Sequence, residues 1–338
     1  MRQDDRDPFA ERLRGRHRQR FHALGAILEV EADDSRLLAL AAHAFGSLPR
    51  QRLGKHTPRY VLRLRAAVGS EARLTASRAQ LISGAGVLGQ VLDGDNYALV
   101  SPQLGSALVS ISKRMLDRAY VARYDLIEFA AYTLVARSGG LVPLHAGCIG
   151  HGGRGALVLG DSGAGKSTLC VRAVAAGLDF LAEDAVLVTP SGLRATGLPT
   201  FVHLRCDSKA GLRDLRGSAA IVSAPVIRRR SGVRKFELDM RTGPYRVATQ
   251  ALDLERVVVL RAQRSGDAPT LRKLAPAQLR RELTRTQPYA AGLPGWPAFL
   301  RRLATLPGYE LHRGAHPNDS VAELQRLFEQ RPRGGSGA

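Results

Sequence analysis

Residues 160–167 of the chain read Gly160-Asp161-Ser162-Gly163-Ala164-Gly165-Lys166-Ser167. This stretch fits the pattern G-x-x-x-x-G-K-[ST] at every defined position. The apolar run 156–159 before it predicts a buried strand, and the Ala- and Leu-rich residues 168–176 after it predict a helix that ends at Gly177. A strand, a glycine loop and a helix in this order are the context in which the pattern forms a phosphate-binding loop (P-loop).

The expected chemistry of this loop is electrostatic. Gly163 and Gly165 allow the backbone to curl so that successive N–H groups point into one concavity. The helix N-terminus adds roughly half a positive charge. Lys166 is expected to reach the β- and γ-phosphates, and the Ser167 hydroxyl to ligate Mg²⁺. The sequence therefore predicts a nucleoside triphosphate site that uses Gly160, Asp161, Ser162, Gly163, Ala164, Gly165, Lys166, Ser167 and Thr168. The alternative is a glycine-rich turn that only caps a helix.

Two carboxylates are the second part of the predicted site. Glu183 and Asp184 follow the predicted strand 178–182. Because the carboxyl ends of parallel strands converge on the ligand crevice, we expect both side chains to face the γ-phosphate from one strand away. The apolar run 257–260 is the weaker candidate for a magnesium-binding strand, since Arg261 follows it. An exposed acidic turn at Glu183 and Asp184 is the alternative.

His145 is a further candidate catalytic residue. A predicted hairpin turn at residues 152–155 leads the chain from the segment after His145 into the loop strand. This connection predicts that His145 lies one strand away from Lys166. A structural role is the alternative for a single histidine near a strand.

Length and composition set the broad class. The chain has 338 residues, three cysteines far apart and a formal net charge of +20. No run of eighteen apolar residues or secretory signal is visible, so we expect a cytoplasmic protein without a membrane span. The charge has three explanations: a compositional bias towards Arg, a nucleic-acid surface, or a basic rim that attracts ATP and an acidic substrate. No nucleic-acid-binding motif supports the second explanation.

The order of predicted elements indicates an α/β fold, α+β overall. A basic, flexible segment is predicted at residues 1–22, a small α+β module at 23–138, a P-loop kinase-like domain at 139–330 and a disordered tail at 331–338. Within the module, residues 26–32 predict a strand and residues 35–45 a helix with Asp34 or Ser35 as N-cap. Near the C-terminus, Ser320 and Glu323 have the spacing of a capping box, which predicts a helix over 320–330.

Residues 144–188 resemble the catalytic core of HPr kinase/phosphorylase, and more particularly the HPr-kinase-related bacterial serine kinases. The resemblance rests on Leu144-His145-Ala146-Gly147, on the loop 160–167 and on Leu181-Ala182-Glu183-Asp184-Ala185-Val186. The family has Asp-Asp where this chain has Glu183-Asp184. Its later Glu-Ile-Arg-Gly-Leu-Gly strand is not recognisable near residues 194–198, so phosphorylase activity and HPr as substrate do not carry over.

The resemblance implies a fold like that of phosphoenolpyruvate carboxykinase and phosphotransfer from ATP to a serine. It implies that Glu183 takes the proton of the acceptor hydroxyl, that Asp184 and Ser167 hold Mg²⁺, and that His145 assists the acid or the phosphoryl group. HPr kinases are oligomers, which leaves a homo-oligomer open here, but the first module gives no basis for transferring that property. Relatives with this reduced core occur beside genes for ribosomally made peptides such as lasso peptides.

The leading hypothesis is therefore an ATP- and Mg²⁺-dependent kinase that acts on a Ser or Thr hydroxyl of a peptide or small protein. One alternative is a small-metabolite kinase with the same core. Arg-rich segments such as 228–230 would then clamp an anionic substrate. The other is a nucleotide-gated regulator that binds a partner or nucleic acid.

Overall fold

The computed structural model of the chain describes residues 17–67, 78–206, 212, 214–215 and 217–330. Contacts divide these residues into two compact units. The first unit comprises residues 17–48, 56–67, 78–139 and 228–233, and the second comprises the others. The predicted module and kinase-like domain stay predictions. The two units differ from them in the assignment of residues 17–22, 49–55, 139 and 228–233. The predicted tail 331–338 lies outside the described residues.

Within its described residues, the first unit contains a seven-stranded mixed sheet. The strands are β1 (His17–Ala23), β2 (Ala26–Ala32), β3 (Arg59–Ala67), β4 (Gln80–Gly84), β5 (Val87–Val91), β6 (Tyr97–Ser101) and β7 (Ser106–Ser112). Their order is β1-β2-β3-β7-β6-β5-β4. β3 runs parallel to both β2 and β7, and the other neighbours are antiparallel.

The helices of this unit are α1 (Ser35–Phe45), α2 (Lys113–Leu116), α3 (Ala119–Val121), a π-helical segment (Ala122–Glu128) and α4 (Phe129–Ser138). The predictions of β2 and α1 are confirmed residue for residue, and the Asp34 side chain caps α1 by accepting from the Arg36 N–H at 2.8 Å. The predicted flexible segment 1–22 is wrong at residues 17–22, because they pair with β2. Residues 1–16 lie outside the described part of the chain.

The second unit is built around a larger mixed sheet. The strands of this part of the chain are β8 (Val142–Leu144), β9 (Gly147–His151), β10 (Arg154–Leu159), β11 (Asp179–Ala182), β12 (Val186–Val188), β13 (Arg194–Gly197), β14 (Phe201–Arg205), β15 (Val226–Arg228), β16 (Arg234–Asp239), β17 (Arg246–Val247), β18 (Leu252–Arg264), β19 (Thr270–Leu274) and β20 (Gly308–Arg313). The large sheet has the order β17-β11-β9-β10-β18-β13-β12-β8, and β20 pairs with β18 and β19. A smaller sheet has the order β14-β16-β15.

The helices that follow in the chain are α5 (Lys166–Ala175), α6 (Ser218–Ser223), α7 (Pro276–Thr286), α8 (Pro288–Ala291), α9 (Trp296–Leu303) and α10 (Pro317–Glu329). The predicted capping box at Ser320 is wrong. α10 begins at Pro317, a residue suited to the first helical turn, and the His316 ring caps it by accepting from the Asn318 N–H at 3.3 Å. Ser320 is consequently buried within the helix.

β10 lies in the interior of the large sheet, and both of its faces are covered. Ala156 and Val158 belong to one hydrophobic cluster, which includes residues of α5 and α10. Leu157 and Leu159 belong to the other, which includes residues of α7 and α9. A strand buried on both faces has an uninterrupted apolar sequence, which is why residues 156–159 were recognisable.

The fold is therefore mixed α/β, with several mixed sheets, in agreement with the predicted α+β class. Among the described residues, every helix is too short or too polar to cross a membrane.

Candidate functional site

The predicted glycine loop connects the end of β10 to the start of α5. Gly160 packs so closely on β18 that a Cβ there would lie 2.6 Å from the Leu260 carbonyl oxygen. Gly165 has a φ of 99°, a left-handed conformation that favours glycine, and directly precedes the helix. The loop conformation therefore depends on glycine at both ends.

The predicted nucleotide-contacting residues differ in their exposure. Asp161, Ser162 and Gly163 are exposed, while Ala164 is buried. The half-buried residues are Gly165, Ser167 and Thr168. The exposed part of the loop is thus residues 161–163, and the half-buried and buried residues that begin α5 follow it in sequence. An anion site at a helix N-terminus has this order of loop and helix.

Lys166 is the buried cation of the loop. Its side chain folds back so that Nζ donates to the Gly160 carbonyl oxygen at 2.7 Å and to the Asp161 carbonyl oxygen at 3.3 Å. Only 8% of the residue is exposed. These two bonds hold the ammonium against the loop backbone.

Glu183 meets the loop helix at Ser167. The Ser167 hydroxyl donates to Glu183 Oε1, and the His203 main-chain N–H donates to Glu183 Oε2 at 3.0 Å. Glu183 follows β11 and is 7% exposed. The structure thus brings together Ser167 and the first member of the predicted acidic pair.

Asp184 pairs with His145. Its Oδ1 lies 2.9 Å from His145 Nδ1, and the two side chains are 30% and 57% exposed. The His145 main chain is held on both sides by Gln287, whose Oε1 accepts from the His145 N–H at 2.7 Å and whose Nε2 donates to the His145 carbonyl at 3.0 Å. This contact clamps the backbone of an otherwise exposed histidine.

The sheet order explains why these groups meet. β9 lies between β10 and β11 and is antiparallel to both. The start of β9 is therefore at the same edge as the ends of β10 and β11, which brings His145, the loop and Glu183 together. The prediction that the acidic pair lies one strand from the loop is wrong, because β9 intervenes; His145 does precede the strand next to the loop strand.

The pKa of His145 is raised above its ordinary value. The hydrogen bond to Asp184 is the largest cause, and partial burial opposes it. A raised pKa means that the charged ring is stabilised in the folded chain. The contribution to stability is accordingly full below the ordinary pKa of about 6.5 and is lost as the pH rises through the folded value.

We expect Asp184→Asn to lower the pKa of His145, because an amide cannot stabilise the imidazolium as a carboxylate does. Titration of the ring resonances by NMR, assigned with a His145→Gln variant, measures the shift. An unchanged midpoint in Asp184→Asn would contradict the pairing.

A chain of ion pairs begins at Asp161, in the exposed part of the loop. Arg285 contacts Asp161 at 2.7 Å and Glu282 at 2.9 Å, and Arg261 contacts Glu282 at 2.9 Å and Glu310 at 2.7 Å. The hydrogen bond from Arg285 is the main cause that lowers the pKa of Asp161. Arg261, which made the run 257–260 a poor candidate for a magnesium-binding strand, thus belongs to a structural network.

His203, which contacts Glu183, and Glu237 are buried polar residues that the sequence motifs do not indicate. His203 Nε2 lies 3.1 Å from Glu237 Oε1, and both residues are buried. They face each other in the antiparallel pair of β14 and β16. The available signal was a polar residue between two apolar ones, His203 between Val202 and Leu204 and Glu237 between Phe236 and Leu238, since buried polar residues are informative.

Ser167 and Glu183 supply oxygens that could hold a divalent cation. No group of three or more His, Cys, Asp or Glu side chains with metal-binding geometry occurs in the part of the chain that the structure describes. Mg²⁺ does not require one, because it usually binds one or two carboxylates together with waters and the phosphates of a substrate. The oxygen donors present fit that requirement.

Comparison with known proteins gives a distant structural resemblance and no sequence match. No protein-family model and no curated protein matches the chain. A similar solved structure is described as the Hpr(Ser) kinase/phosphatase from Coxiella burnetii; it has 9% sequence identity and a TM-score of 0.23, and the match covers 55% of this chain and 97% of that one. A TM-score of this size indicates no function for this chain.

Proposed function

We propose that the chain is an ATP- and Mg²⁺-dependent phosphotransferase that phosphorylates a Ser or Thr hydroxyl of a peptide or small protein. The observation that carries the proposal is the convergence of three features at one edge of the large sheet. These features are the glycine loop with Lys166, the part-buried contact between Ser167 and Glu183, and the pair of exposed His145 and half-buried Asp184.

The glycine loop is the proposed P-loop. Its backbone N–H groups and the N-terminus of α5 favour an anion, and Lys166 supplies the cation. When a triphosphate enters, the Lys166 ammonium exchanges its bonds to the Gly160 and Asp161 carbonyls for bonds to phosphate oxygens. Until then the two carbonyl oxygens keep the buried ammonium hydrogen-bonded.

Ser167 and Glu183 are the proposed ligands of Mg²⁺. The bound ion would neutralise charge on the phosphates. Glu183 suits this role because its carboxylate contacts the Ser167 hydroxyl and is almost fully enclosed by protein. The family resemblance implied that Glu183 is the base and Asp184 a metal ligand, and this proposal exchanges the two roles. Glu183 binds the metal, and Asp184 acts with His145 as the base.

The exposure of the two carboxylates supports this exchange. A general base must come within hydrogen-bond reach of the proton that it removes. A hydroxyl on a peptide can approach His145 and Asp184, which are 57% and 30% exposed, more readily than Glu183, at 6% for its side chain. An open base also suits a macromolecular acceptor better than a metabolite, which a pocket normally encloses.

The proposed proton transfer uses His145 and Asp184 as a unit. In the tautomer that donates from Nδ1 to Asp184, His145 Nε2 accepts the proton of the acceptor hydroxyl. The hydroxyl oxygen forms its bond to the γ-phosphorus, the bond from that phosphorus to the bridging oxygen breaks, and ADP leaves with the electron pair. Asp184 stabilises the resulting imidazolium, and Gln287 fixes the backbone that presents it.

The proposal is tested with γ-labelled ATP, Mg²⁺ and an array of Ser- and Thr-containing peptides, with matched arrays in which the acceptor is Ala. We expect label in phosphoserine or phosphothreonine only in the first set, and no label with Lys166→Met. Transfer to small metabolites instead of peptides would overturn the acceptor class, and an absence of ATP binding would overturn the proposal. The cytoplasmic location and the homo-oligomer stay predictions.

A further inference from the structure

We infer that His203 and Glu237 are positioning residues that hold the Glu183 carboxylate against Ser167, so that the site binds its divalent cation tightly. The inference rests on the proposed function, because it assumes that Glu183 is a metal ligand. It adds two residues that lie outside the loop and the acidic pair, on strands that the sequence motifs do not include.

His203 contacts Glu183 through its main chain and lies near it with its ring. The His203 N–H donates to Glu183 Oε2 at 3.0 Å, and ring Nδ1 lies 3.7 Å from the same oxygen. Since Ser167 bonds the other oxygen, Oε1, the two carboxylate oxygens have different partners. The carboxylate plane is therefore fixed from both sides.

Glu237 fixes the His203 ring. Its Oε1 lies 3.1 Å from Nε2, the ring nitrogen that does not lie near Glu183. A partner of this kind orients the imidazole, as a carboxylate beyond a histidine does in many metal sites. The polar series Ser167, Glu183, His203, Glu237 thus runs from the proposed metal site into the protein.

Burial makes this series costly for a purely structural feature. The side chains of Glu183, His203 and Glu237 are 6%, 5% and 8% exposed. Two carboxylates and an imidazole lose their hydration there, and well-packed apolar residues of similar volume are often at least as stable as buried ionic groups. A role in orienting a ligand gives a reason for polar residues at these positions.

The backbone around the series is regular. His203 lies directly opposite Glu237 in the register of β14 and β16, and the flanking residues Val202, Leu204 and Leu238 are buried in the core. A site supported by paired strands holds its ligands more accurately than one supported by loops. The pair is therefore placed to hold Glu183 in one orientation.

The expected effect is on metal affinity. Loss of an outer partner of a metal ligand typically weakens metal binding by about 10- to 100-fold. We therefore expect Glu237→Gln and His203→Asn to raise the Mn²⁺ dissociation constant of the ATP-bound chain by about 10-fold or more. In EDTA, which removes divalent cations, only the loop contributes to ATP binding, so the ATP affinity measured there should not change.

The experiment titrates Mn²⁺, detected by electron paramagnetic resonance, into the full chain with ATP, and compares Arg256→Met as a matched control. Arg256 is buried and bonds the Leu327 and Gln330 carbonyls; it pairs with Ala156 near the start of β10, away from the loop at the other end of that strand. The control loses buried polar contacts without touching Glu183, so its Mn²⁺ constant should equal that of the wild type. Equal Mn²⁺ dissociation constants in the wild type and all three variants would overturn the inference. That result would not decide the proposed phosphotransfer, which the labelled-ATP experiment tests.

A second measurement needs no variant. Selective ¹⁵N-histidine labelling of the wild type follows the His203 main-chain amide, which should shift when Mg²⁺ is added to the ADP-bound chain and should shift little with ADP alone. No response to Mg²⁺ would overturn the inference even if the variants do not fold. A wild type that binds neither Mn²⁺ nor ATP would overturn both this inference and the proposed function.

Discussion

Lys166→Met should lower the affinity for ATP by about 10- to 100-fold and abolish most phosphotransfer while the chain stays folded. The ammonium is buried and bonds the Gly160 and Asp161 carbonyls, within the loop that we propose binds the phosphates. A hydrogen bond to a charged group is worth about 1.5–3 kcal/mol, and each 1.4 kcal/mol is tenfold in affinity. Met keeps a long unbranched side chain in the same packing environment.

Isothermal titration with a non-hydrolysable ATP analogue measures this loss, and Lys273→Met is the matched control. Lys273 lies on β19 and is exposed, so its removal takes the same charge from the second unit without touching the loop. Equal losses in the two variants would show that net charge, and not the loop, attracts the nucleotide. Wild-type affinity in Lys166→Met would remove the phosphate-binding role of this residue.

The loop and its flanking elements could be predicted because their signals are local. Gly160 and Gly165 satisfy backbone requirements within a few residues, and the run 156–159 has the composition of a strand buried on both faces. The same locality explains the exact bounds of α1, where Asp34 caps the helix through its own neighbour Arg36. Such features need no knowledge of distant contacts.

The arrangement of the carboxylates could be predicted only in part. The sequence placed Glu183 and Asp184 at the end of a strand, but it could not show that β9 separates that strand from β10, because sheet order depends on pairing between distant segments. Both residues lie in the bend that follows β11, where the Glu183 carboxylate reaches Ser167 and the Asp184 carboxylate reaches His145. No motif indicates which of the two carboxylates contacts Ser167 and which contacts His145.

His203 and Glu237 could not be found by a motif search, because their relation exists only in the register of β14 with β16. Neither residue has a neighbour in sequence that indicates a site. Gln287 is a similar case: it clamps the His145 backbone from a position 142 residues further along the chain. The start of α10 was misplaced for a different reason, since Pro317 and His316 compete locally with the capping box at Ser320.

Asp184→Asn and Glu183→Gln should have different effects if the exchanged roles are correct. Asp184→Asn removes the carboxylate that stabilises the His145 imidazolium, so we expect turnover to fall by about 10²- to 10⁴-fold, the range of a general base, with ATP affinity unchanged. Glu183→Gln keeps the size of the side chain but removes the charge beside Ser167. It should therefore raise the Mg²⁺ concentration needed for half-maximal nucleotide binding.

Initial rates and metal-dependent nucleotide binding, measured on both variants, separate the two assignments. Asp253→Asn is the control, since this exposed carboxylate pairs with Arg194 and contacts none of the site residues described above. If Glu183→Gln instead loses turnover while binding ATP and Mg²⁺ normally, Glu183 is the base, as the family resemblance implies. In that case the buried Glu183 carboxylate becomes accessible to the acceptor hydroxyl only after the acceptor has bound.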